Sequence, residues 1–174
     1  MVSINKTSDK TRVAQVAGGG FSGLTAAIAL RQNGWDVVLH EKSPELRAFG
    51  AGIYLWHNGL RVLEGIGCLN EVLEDSFTPP AYETWMHNKT VSKETFNGLP
   101  WRIMTRAHLH DALANRAREV GVEIRTNSEA VGAEASGTLK LASGEVVEGD
   151  LIVGADGVGS KVRDSLGFEQ ERWG

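Results

Sequence analysis

The stretch that decides the fold runs from Arg12 to Gln32 and reads RVAQVAGGGFSGLTAAIALRQ. Its first part, Arg12 to Ala17, predicts a short buried strand. A glycine-rich turn follows over residues 18–23, and the apolar run from Leu24 to Gln32 predicts a helix. The stretch therefore predicts a strand, a tight turn and a helix in immediate succession.

The residues that follow complete a β-α-β unit. Asn33 and Gly34 end the helix with a C-terminal glycine, and Trp35 to His40 predicts a second strand that leads into Glu41. A unit of about 30 residues is long enough for a crossover between parallel strands. The predicted class is therefore α/β, with a parallel, Rossmann-like dinucleotide-binding sheet of the glutathione-reductase type, covered on both faces.

The glycines of the turn have the spacing of a dinucleotide-binding motif. We expect Gly18 to permit the tight turn, Gly20 to let a pyrophosphate approach the backbone, and Gly23 to let the helix pack on the strand. The helix N-terminus would face the negative charge, and Glu41 would accept hydrogen bonds from a ribose diol. The motif does not distinguish NAD from FAD, and a turn with no ligand is the alternative.

An NAD-dependent dehydrogenase would continue to alternate strand and helix beyond this unit. The pattern of this sequence does not. It predicts an ordered loop over Ser43–Gly52 and a pair of short helices within Asn58–Leu73. A hairpin over Tyr82–Thr95, with its turn at Asn88-Lys89, and a helix over Arg106–Val120, with Thr105 as N-cap, follow. Four short strands then predict a β-meander: Val122–Thr126, Glu129–Ala135, Thr138–Ala142 and Glu145–Val147. A last buried strand leads into an aspartate-glycine turn at Asp156.

Composition narrows the classes of function. The formal charge of −4 and the lack of a basic run argue against nucleic acid as a partner. The apolar run from Leu24 to Leu30 is far shorter than the roughly 20 residues that a membrane span needs. A single cysteine, Cys68, is consistent with a cytoplasmic location. His108 and His110 point to different faces of their helix, so we expect no metal site.

Several ordered motifs point to one family. They are Glu41-Lys42, Leu46-Arg47, Gly50-Ala51-Gly52-Ile53, Thr105-Arg106-Ala107-His108-Leu109, and the segment from Gly154 to Arg163. With these motifs the sequence resembles the flavin-dependent aromatic hydroxylases of the para-hydroxybenzoate hydroxylase type. The resemblance covers nearly every residue after Arg12. It implies FAD as cofactor, NADH or NADPH as co-substrate, and oxygen from O2.

The resemblance also implies roles for individual residues. It puts two residues at the pyrophosphate, two at the adenosine ribose, two arginines at flavin phosphate or ribityl oxygens, one backbone beside the adenine, and an aspartate that orders the pyrophosphate region. In that order these residues are Gly20 and Ser22; Glu41 and Lys42; Arg47 and Arg106; Ala130; and Asp156. Gly18, Phe21 and Gly23 are the other expected cofactor-binding residues of the glycine turn. Arg163 is expected to pair within its own motif, and no catalytic residue is assigned.

The run from Gly50 to Leu60, together with Tyr82 to Asn88, resembles members of the family that oxygenate and open hydroxypyridine carboxylates in vitamin B6 degradation. This implies a small aromatic hydroxypyridine carboxylate as substrate. Tyr54, Leu55 and Trp56 would lie near the flavin ring and the substrate, and Tyr82 would reach the substrate. A 6-hydroxynicotinate-type hydroxylase, an NAD-dependent dehydrogenase and a non-catalytic flavin-binding module are the alternatives. For Trp85 and Trp101, a place in the core is equally consistent with the sequence.

The resemblance implies a domain plan as well. Residues 1–10 would be a polar tail, 11–78 the first part of the FAD-binding domain, 79–104 a hairpin that begins the substrate-domain layer, and 105–174 the second part of the FAD-binding domain. Relatives are longer and carry a second flavin motif beyond the equivalent of residue 174. We therefore expect residues 1–174 alone to bind FAD weakly, to oxidise no NADH and to aggregate.

Overall fold

A computed structural model describes residues 11–48, 50–95 and 101–168. The strands are β1 Val13–Ala17, β2 Asp36–His40, β3 Gly52–Trp56, β4 Tyr82–Met86, β5 Lys89–Glu94, β6 Trp101–Thr105, β7 Glu123–Arg125, β8 Ala130–Glu134, β9 Thr138–Leu141, β10 Val146–Glu148 and β11 Leu151–Gly154. The helices are α1 Phe21–Gln32, α2 His57–Gly65, α3 Leu69–Glu74, α4 Arg106–Glu119 and α5 Lys161–Ser165.

The first compact unit, Met1–Leu46 with Ala117–Gly174, contains a four-stranded parallel sheet in the order β11-β1-β2-β7. In its centre Val16 of β1 lies beside Leu39 of β2 and Val153 of β11. Val16 and Leu39 are fully buried, as are Leu24 and Ile28 of α1. This arrangement confirms the predicted α/β class and the parallel sheet, since burial on both faces is what stabilises such a sheet.

A three-stranded antiparallel meander, β8 to β10, lies in the same unit. Leu139 and Leu141 of β9 pack with Ala133 of β8 and with Val162 of α5 in one apolar cluster. The meander has one strand fewer than predicted, because β7 pairs in parallel with β2 and belongs to the large sheet. The prediction failed there because the strand pattern of residues 122–126 says nothing about a partner more than 80 residues away.

The second compact unit, Arg47–Arg116, contains two antiparallel strand pairs, β3 with β6 and β4 with β5. The β4–β5 hairpin confirms the predicted hairpin, but its turn is His87-Asn88, both with positive φ, and Lys89 already belongs to β5. Strands β3 and β6 were not predicted. Each strand is short, and its pairing partner lies far along the chain, so the local sequence pattern does not indicate either strand.

Both ends of helix α4 follow the sequence signals. The Thr105 hydroxyl accepts a hydrogen bond from the His108 N–H at 3.1 Å, which confirms the predicted N-cap. Gly121 follows the helix with φ +83°, the conformation that favours glycine after a C-terminus. The two short helices predicted within 58–73 are α2 and α3.

The compact units divide the chain between residues 46 and 47 and between residues 116 and 117. The predicted boundaries lay at residues 78/79 and 104/105, and that domain plan stays a prediction. The tail over residues 1–10 lies outside the described residues. Among the residues that the structure describes, no helix is long and apolar enough to cross a membrane, and no group of three or more metal-ligating side chains occurs.

Candidate functional site

The glycine turn connects the carboxyl end of β1 to helix α1. Gly18 has φ +104°, and its N–H donates to the carbonyl of His40 at 2.8 Å. A Cβ atom on Gly18 would lie far inside van der Waals contact with the carbonyl oxygen of Ala155. The tight turn predicted for Gly18 is therefore confirmed, because the strand ends around it leave no room for a side chain.

Helix α1 begins at Phe21, with Gly20 as N-cap, rather than at Leu24 as predicted. Phe21, Ser22 and Gly23 therefore form its first turn. A Cβ atom on Gly23 would overlap the carbonyl oxygen of Gly18, which confirms that glycine permits close packing there. A Cβ atom on Gly20 would meet nothing within 4 Å. Gly20 thus borders open space beside the positive end of a helix dipole, where an anion is favoured.

The carboxylate of Glu41 connects the glycine turn to the end of β2. Its Oε2 atom accepts a hydrogen bond from the Gly19 N–H, and its Oε1 atom accepts one from the Ser43 N–H, both at 2.8 Å. An ionised carboxylate can accept about four hydrogen bonds, so two more acceptor sites are available for the hydroxyls of a ribose.

A cavity of about 250 Å³ opens beside these residues. Its lining brings together six of the predicted cofactor residues: Gly18, Gly20, Glu41, Lys42, Ala130 and Asp156. The sequence analysis missed six other lining residues: His40, Glu129, Ala155, Gly157, Gly159 and Lys161. Ala155, Gly157 and Gly159 belong to the same Gly154–Arg163 motif as Asp156. Glu129, His40 and Lys161 carried no sequence signal.

An ion pair at this cavity joins two elements that are distant in sequence. The Lys161 ammonium, at the start of α5, donates to the Glu129 carboxylate at 2.6 Å. The hydrogen bond and the charge of Lys161 lower the pKa of Glu129, and the charge of Lys42 lowers it further. Both partners are substantially exposed, so the pair adds little to stability. The pair places one positive and one negative charge at the edge of the cavity.

Asp156 orders the turn between β11 and α5. One carboxylate oxygen accepts the Ser160 hydroxyl, and the other accepts the Val162 N–H at 3.2 Å. Arg163 donates to the carbonyl of Val158 at 3.1 Å, so its predicted pairing within the motif is confirmed. These bonds fix the path of the glycine-containing segment that borders the cavity.

Aromatic side chains cluster on one face of the β3–β6 pair in the second unit. The Trp56 ring stacks on Trp101 with 5.3 Å between centroids, and Tyr54 meets Trp56 edge to face at 6.1 Å. Trp101 is buried, which places it in the core, whereas Trp85 is 61% exposed and does not lie in the core. Half-exposed Tyr54 and Trp56 leave aromatic surface on which a planar ring can stack.

Leu55 does not share that face, contrary to the grouping made from the sequence. Successive residues of a strand point to opposite sides, so Leu55 lies opposite Tyr54 and Trp56. Its Cδ2 atom is 3.5 Å from the position that a Cβ atom would take on Gly59 of α2. The side chain of Leu55 therefore lies on the side of β3 that faces Gly59, and its predicted place near the flavin ring and the substrate stays a prediction.

The remaining predicted residues also lie in the second unit. Tyr82 begins β4 and is 53% exposed. The Arg106 side chain runs past Gly50, whose φ is +101° and whose Cβ position would lie 2.8 Å from the Arg106 Cδ atom. This contact explains why a glycine precedes β3. The roles predicted for Arg47 and Arg106 at flavin phosphate or ribityl oxygens stay predictions.

The cavity in the first unit fits the adenosine diphosphate half of a dinucleotide. Open space at Gly20 admits a pyrophosphate to the start of α1, and Lys42 adds a positive charge, whereas the charge of Lys161 is paired with Glu129. Glu41 offers acceptors for a ribose, and the backbone of Ala130 borders the same cavity. Donors for an anion and acceptors for hydroxyls thus occur side by side, which is the arrangement such a ligand requires.

Comparison with known proteins identifies the family. Residues 10–173 match the family described as the FAD binding domain. The chain belongs to this family. The cofactor is therefore FAD, a choice that the glycine motif left open. The cavity lined by Gly18, Gly20 and Glu41 is the candidate site for FAD and is called the FAD cavity below.

The relatives of this FAD-binding domain are longer proteins. It is 42% identical to a probable 2-heptyl-3-hydroxy-4(1H)-quinolone synthase of Rhodococcus erythropolis, over 92% of this chain and 43% of the relative. It is 33% identical to 3-amino-4-hydroxybenzoate 2-monooxygenase of Streptomyces cremeus, over 91% of this chain and 43% of the relative. The predicted resemblance to FAD-dependent aromatic hydroxylases is thereby confirmed.

A solved structure is more similar still. The tetrameric form of 2-methyl-3-hydroxypyridine-5-carboxylic acid oxygenase is 79% identical, with a TM-score of 0.92, over 94% of this chain and 44% of that protein. The present chain thus spans less than half the length of the relatives that it matches.

Proposed function

We propose that this chain is the FAD-binding part of an FAD-dependent oxygenase that acts on a hydroxypyridine carboxylate, with O2 and with NADH or NADPH. The observation that carries the proposal is the 79% identity, over 94% of the chain, to 2-methyl-3-hydroxypyridine-5-carboxylic acid oxygenase. The favoured substrate is 2-methyl-3-hydroxypyridine-5-carboxylate, with ring opening after oxygenation. This reaction would belong to vitamin B6 degradation, and its predicted cytoplasmic location remains a proposal.

In this proposal the chain's own residues bind and orient the cofactor. FAD, when bound, supplies the electron transfer from the nicotinamide and the activation of oxygen. Gly20 leaves space for the pyrophosphate, Glu41 accepts from the ribose, and Lys42 balances negative charge. Phe21, Ser22 and Gly23 place the N-terminal amide groups of α1 towards the phosphates. Asp156 keeps the neighbouring turn in place.

The substrate would use aromatic surface of the second unit. Tyr54 and Trp56 present ring faces and edges that suit a planar hydroxypyridine. The contact of Tyr54 with Trp56, and of Trp56 with Trp101, restricts their rotamers. Tyr82 offers a phenolic hydroxyl, which can donate to a ring carboxylate or accept from a ring hydroxyl. We propose these three residues as substrate contacts in the whole protein.

The test is an assay of the purified whole protein for bound flavin and for NADH and NADPH oxidation. We expect a flavin absorbance spectrum and nicotinamide oxidation that 2-methyl-3-hydroxypyridine-5-carboxylate stimulates. Stimulation by 6-hydroxynicotinate alone would replace the proposed substrate by the alternative one. Bound flavin with no stimulation by either compound would instead support a non-catalytic flavin-binding module.

Tyr82→Phe in the whole protein is expected to leave FAD bound and to raise the KM for the substrate. The ring remains as packing, and only the hydroxyl, which accounts for about 1 kcal/mol or somewhat more in a hydrogen bond, is removed. Substrate titrations of NADH oxidation measure this change. Trp85→Phe is the matched control on the same strand, because the Trp85 indole donates to Glu83 within the hairpin. Equal KM values for the two variants would remove Tyr82 from the substrate site.

A further inference from the structure

A buried histidine forms part of the wall of the FAD cavity. His40, the last residue of β2, is 1% exposed and borders the cavity. Its Nδ1 atom lies 2.8 Å from the Ser128 hydroxyl, and its Nε2 atom lies 2.9 Å from the Gln15 amide oxygen. The imidazole therefore joins β1, β2 and the segment that precedes β8.

The hydrogen-bond pattern determines which nitrogen of His40 carries the proton. The amide nitrogen of Gln15 donates to the carbonyl of Glu148 at 2.9 Å, so its oxygen is the atom that faces His40. Because an amide oxygen only accepts, Nε2 of His40 must be the donor. Nδ1 of the neutral ring is then an acceptor, and the Ser128 hydroxyl donates to it. The network is thus complete with a neutral imidazole.

Ser128 belongs to a segment that is fixed to the end of β2 by its backbone as well. The Ser128 N–H donates to the carbonyl of Glu41 at 2.8 Å, and the Asn127 N–H donates to the carbonyl of Ser43 at 3.0 Å. The next two residues, Glu129 and Ala130, border the FAD cavity. The bond to His40 therefore adds a side-chain tie directly behind one wall of the cavity.

We propose that His40 is a positioning residue for FAD: its ring holds Ser128, and through it the wall formed by Glu129 and Ala130, so that FAD affinity falls when the contact between His40 and Ser128 is lost. This inference rests on FAD binding by the chain and is independent of the substrate that we propose. The imidazole acts through Ser128 and not through a contact with the reacting atoms.

Burial and the surrounding charges determine the protonation state that the fold favours for His40. Burial is the largest cause and lowers the pKa of His40 below its ordinary 6.5, and the charge of Arg125 lowers it further. Glu145 and Glu123 act in the opposite direction, and Glu41, Lys42, Glu129, Lys161 and Asp156 face the same cavity. The folded state therefore favours the neutral ring. Its contribution to stability is present above pH 6.5 and is lost as the pH falls through the lowered pKa.

The experiment measures the FAD dissociation constant of the whole protein and of its variants at neutral pH. Quenching of flavin fluorescence on binding gives the constant. The thermal unfolding of each apoprotein is recorded in parallel.

Two conservative variants separate the contacts of His40. The amide of His40→Asn reaches the position of Nδ1 and can accept from Ser128, whereas the longer His40→Gln reaches the position of Nε2 and the Gln15 contact. We expect His40→Asn to retain most of the FAD affinity. We expect His40→Gln and Ser128→Ala to bind FAD several-fold more weakly at neutral pH. His87→Asn, at an exposed turn histidine, is the control and should bind FAD as tightly as the unmodified protein.

The possible results separate the positioning role of His40 from FAD binding itself. A merely structural role predicts that His40→Asn and His40→Gln lose FAD affinity in proportion to their loss of apoprotein stability, and that result would overturn the proposal. Unchanged FAD affinity in both His40→Gln and Ser128→Ala would also overturn it, while leaving the proposed oxygenase function intact. A whole protein that binds no FAD would overturn both.

Discussion

Gly23→Ala is expected to lower the free energy of unfolding by about 3 kcal/mol or more, the upper range for overpacking in a close-packed site. The added methyl group would overlap the backbone carbonyl of Gly18. Neither atom can move away easily, because Gly18 itself lies against the backbone of Ala155. Since domains are stable by only about 5–15 kcal/mol, the effect should be obvious in urea unfolding followed by circular dichroism.

Gly20→Ala is the matched variant within the same turn. Gly20 has φ −79°, which any residue adopts, and its Cβ position meets nothing within 4 Å. We therefore expect nearly unchanged stability but weaker FAD binding, because the methyl group would occupy space at the start of α1 that a phosphate needs. Unfolding of Gly23→Ala at the same urea concentration as the unmodified protein would contradict the packing argument. Full FAD affinity in Gly20→Ala would show that the phosphate lies elsewhere.

Glu41→Ala is expected to weaken FAD binding by about 1 to 3 kcal/mol, the range for losing hydrogen bonds to a charged group, which is roughly ten- to a hundredfold in the dissociation constant. Two effects contribute. The ribose loses its acceptor, and the N–H groups of Gly19 and Ser43 lose the carboxylate that fixes the turn. Titration of the apoprotein with FAD, monitored by flavin fluorescence, measures the change.

Glu134→Ala is the control for Glu41→Ala. Glu134 pairs with Lys140 at 2.6 Å on the exposed end of β8, outside the FAD cavity. Exposed pairs of this kind contribute about 0–1 kcal/mol, so stability should change little and FAD affinity should not change. If Glu41→Ala and Glu134→Ala bound FAD equally well, the assignment of Glu41 to the ribose would be wrong.

The sequence alone was sufficient wherever structure depends on near neighbours. The strand at Val13–Ala17, the second strand ending at His40 and the helix between them follow from hydrophobic pattern and glycine punctuation over a few residues. The N-cap at Thr105 and the closing glycine at Gly121 are equally local. The glycine spacing predicted the dinucleotide site for the same reason, because the turn, the space for a phosphate and the close packing are properties of one short segment.

The tertiary structure alone decided which distant segments meet. Strand β7 joins the parallel sheet, β3 pairs with β6, and alternation along β3 separates Leu55 from Tyr54 and Trp56. His40 meets Ser128 across 88 positions of sequence, and Glu129 meets Lys161 across 32. Each of these residues is unremarkable in its own neighbourhood. Their positions at the FAD cavity arise because parallel strands bring their carboxyl ends to one edge of the sheet, and no local pattern encodes which strands will be neighbours.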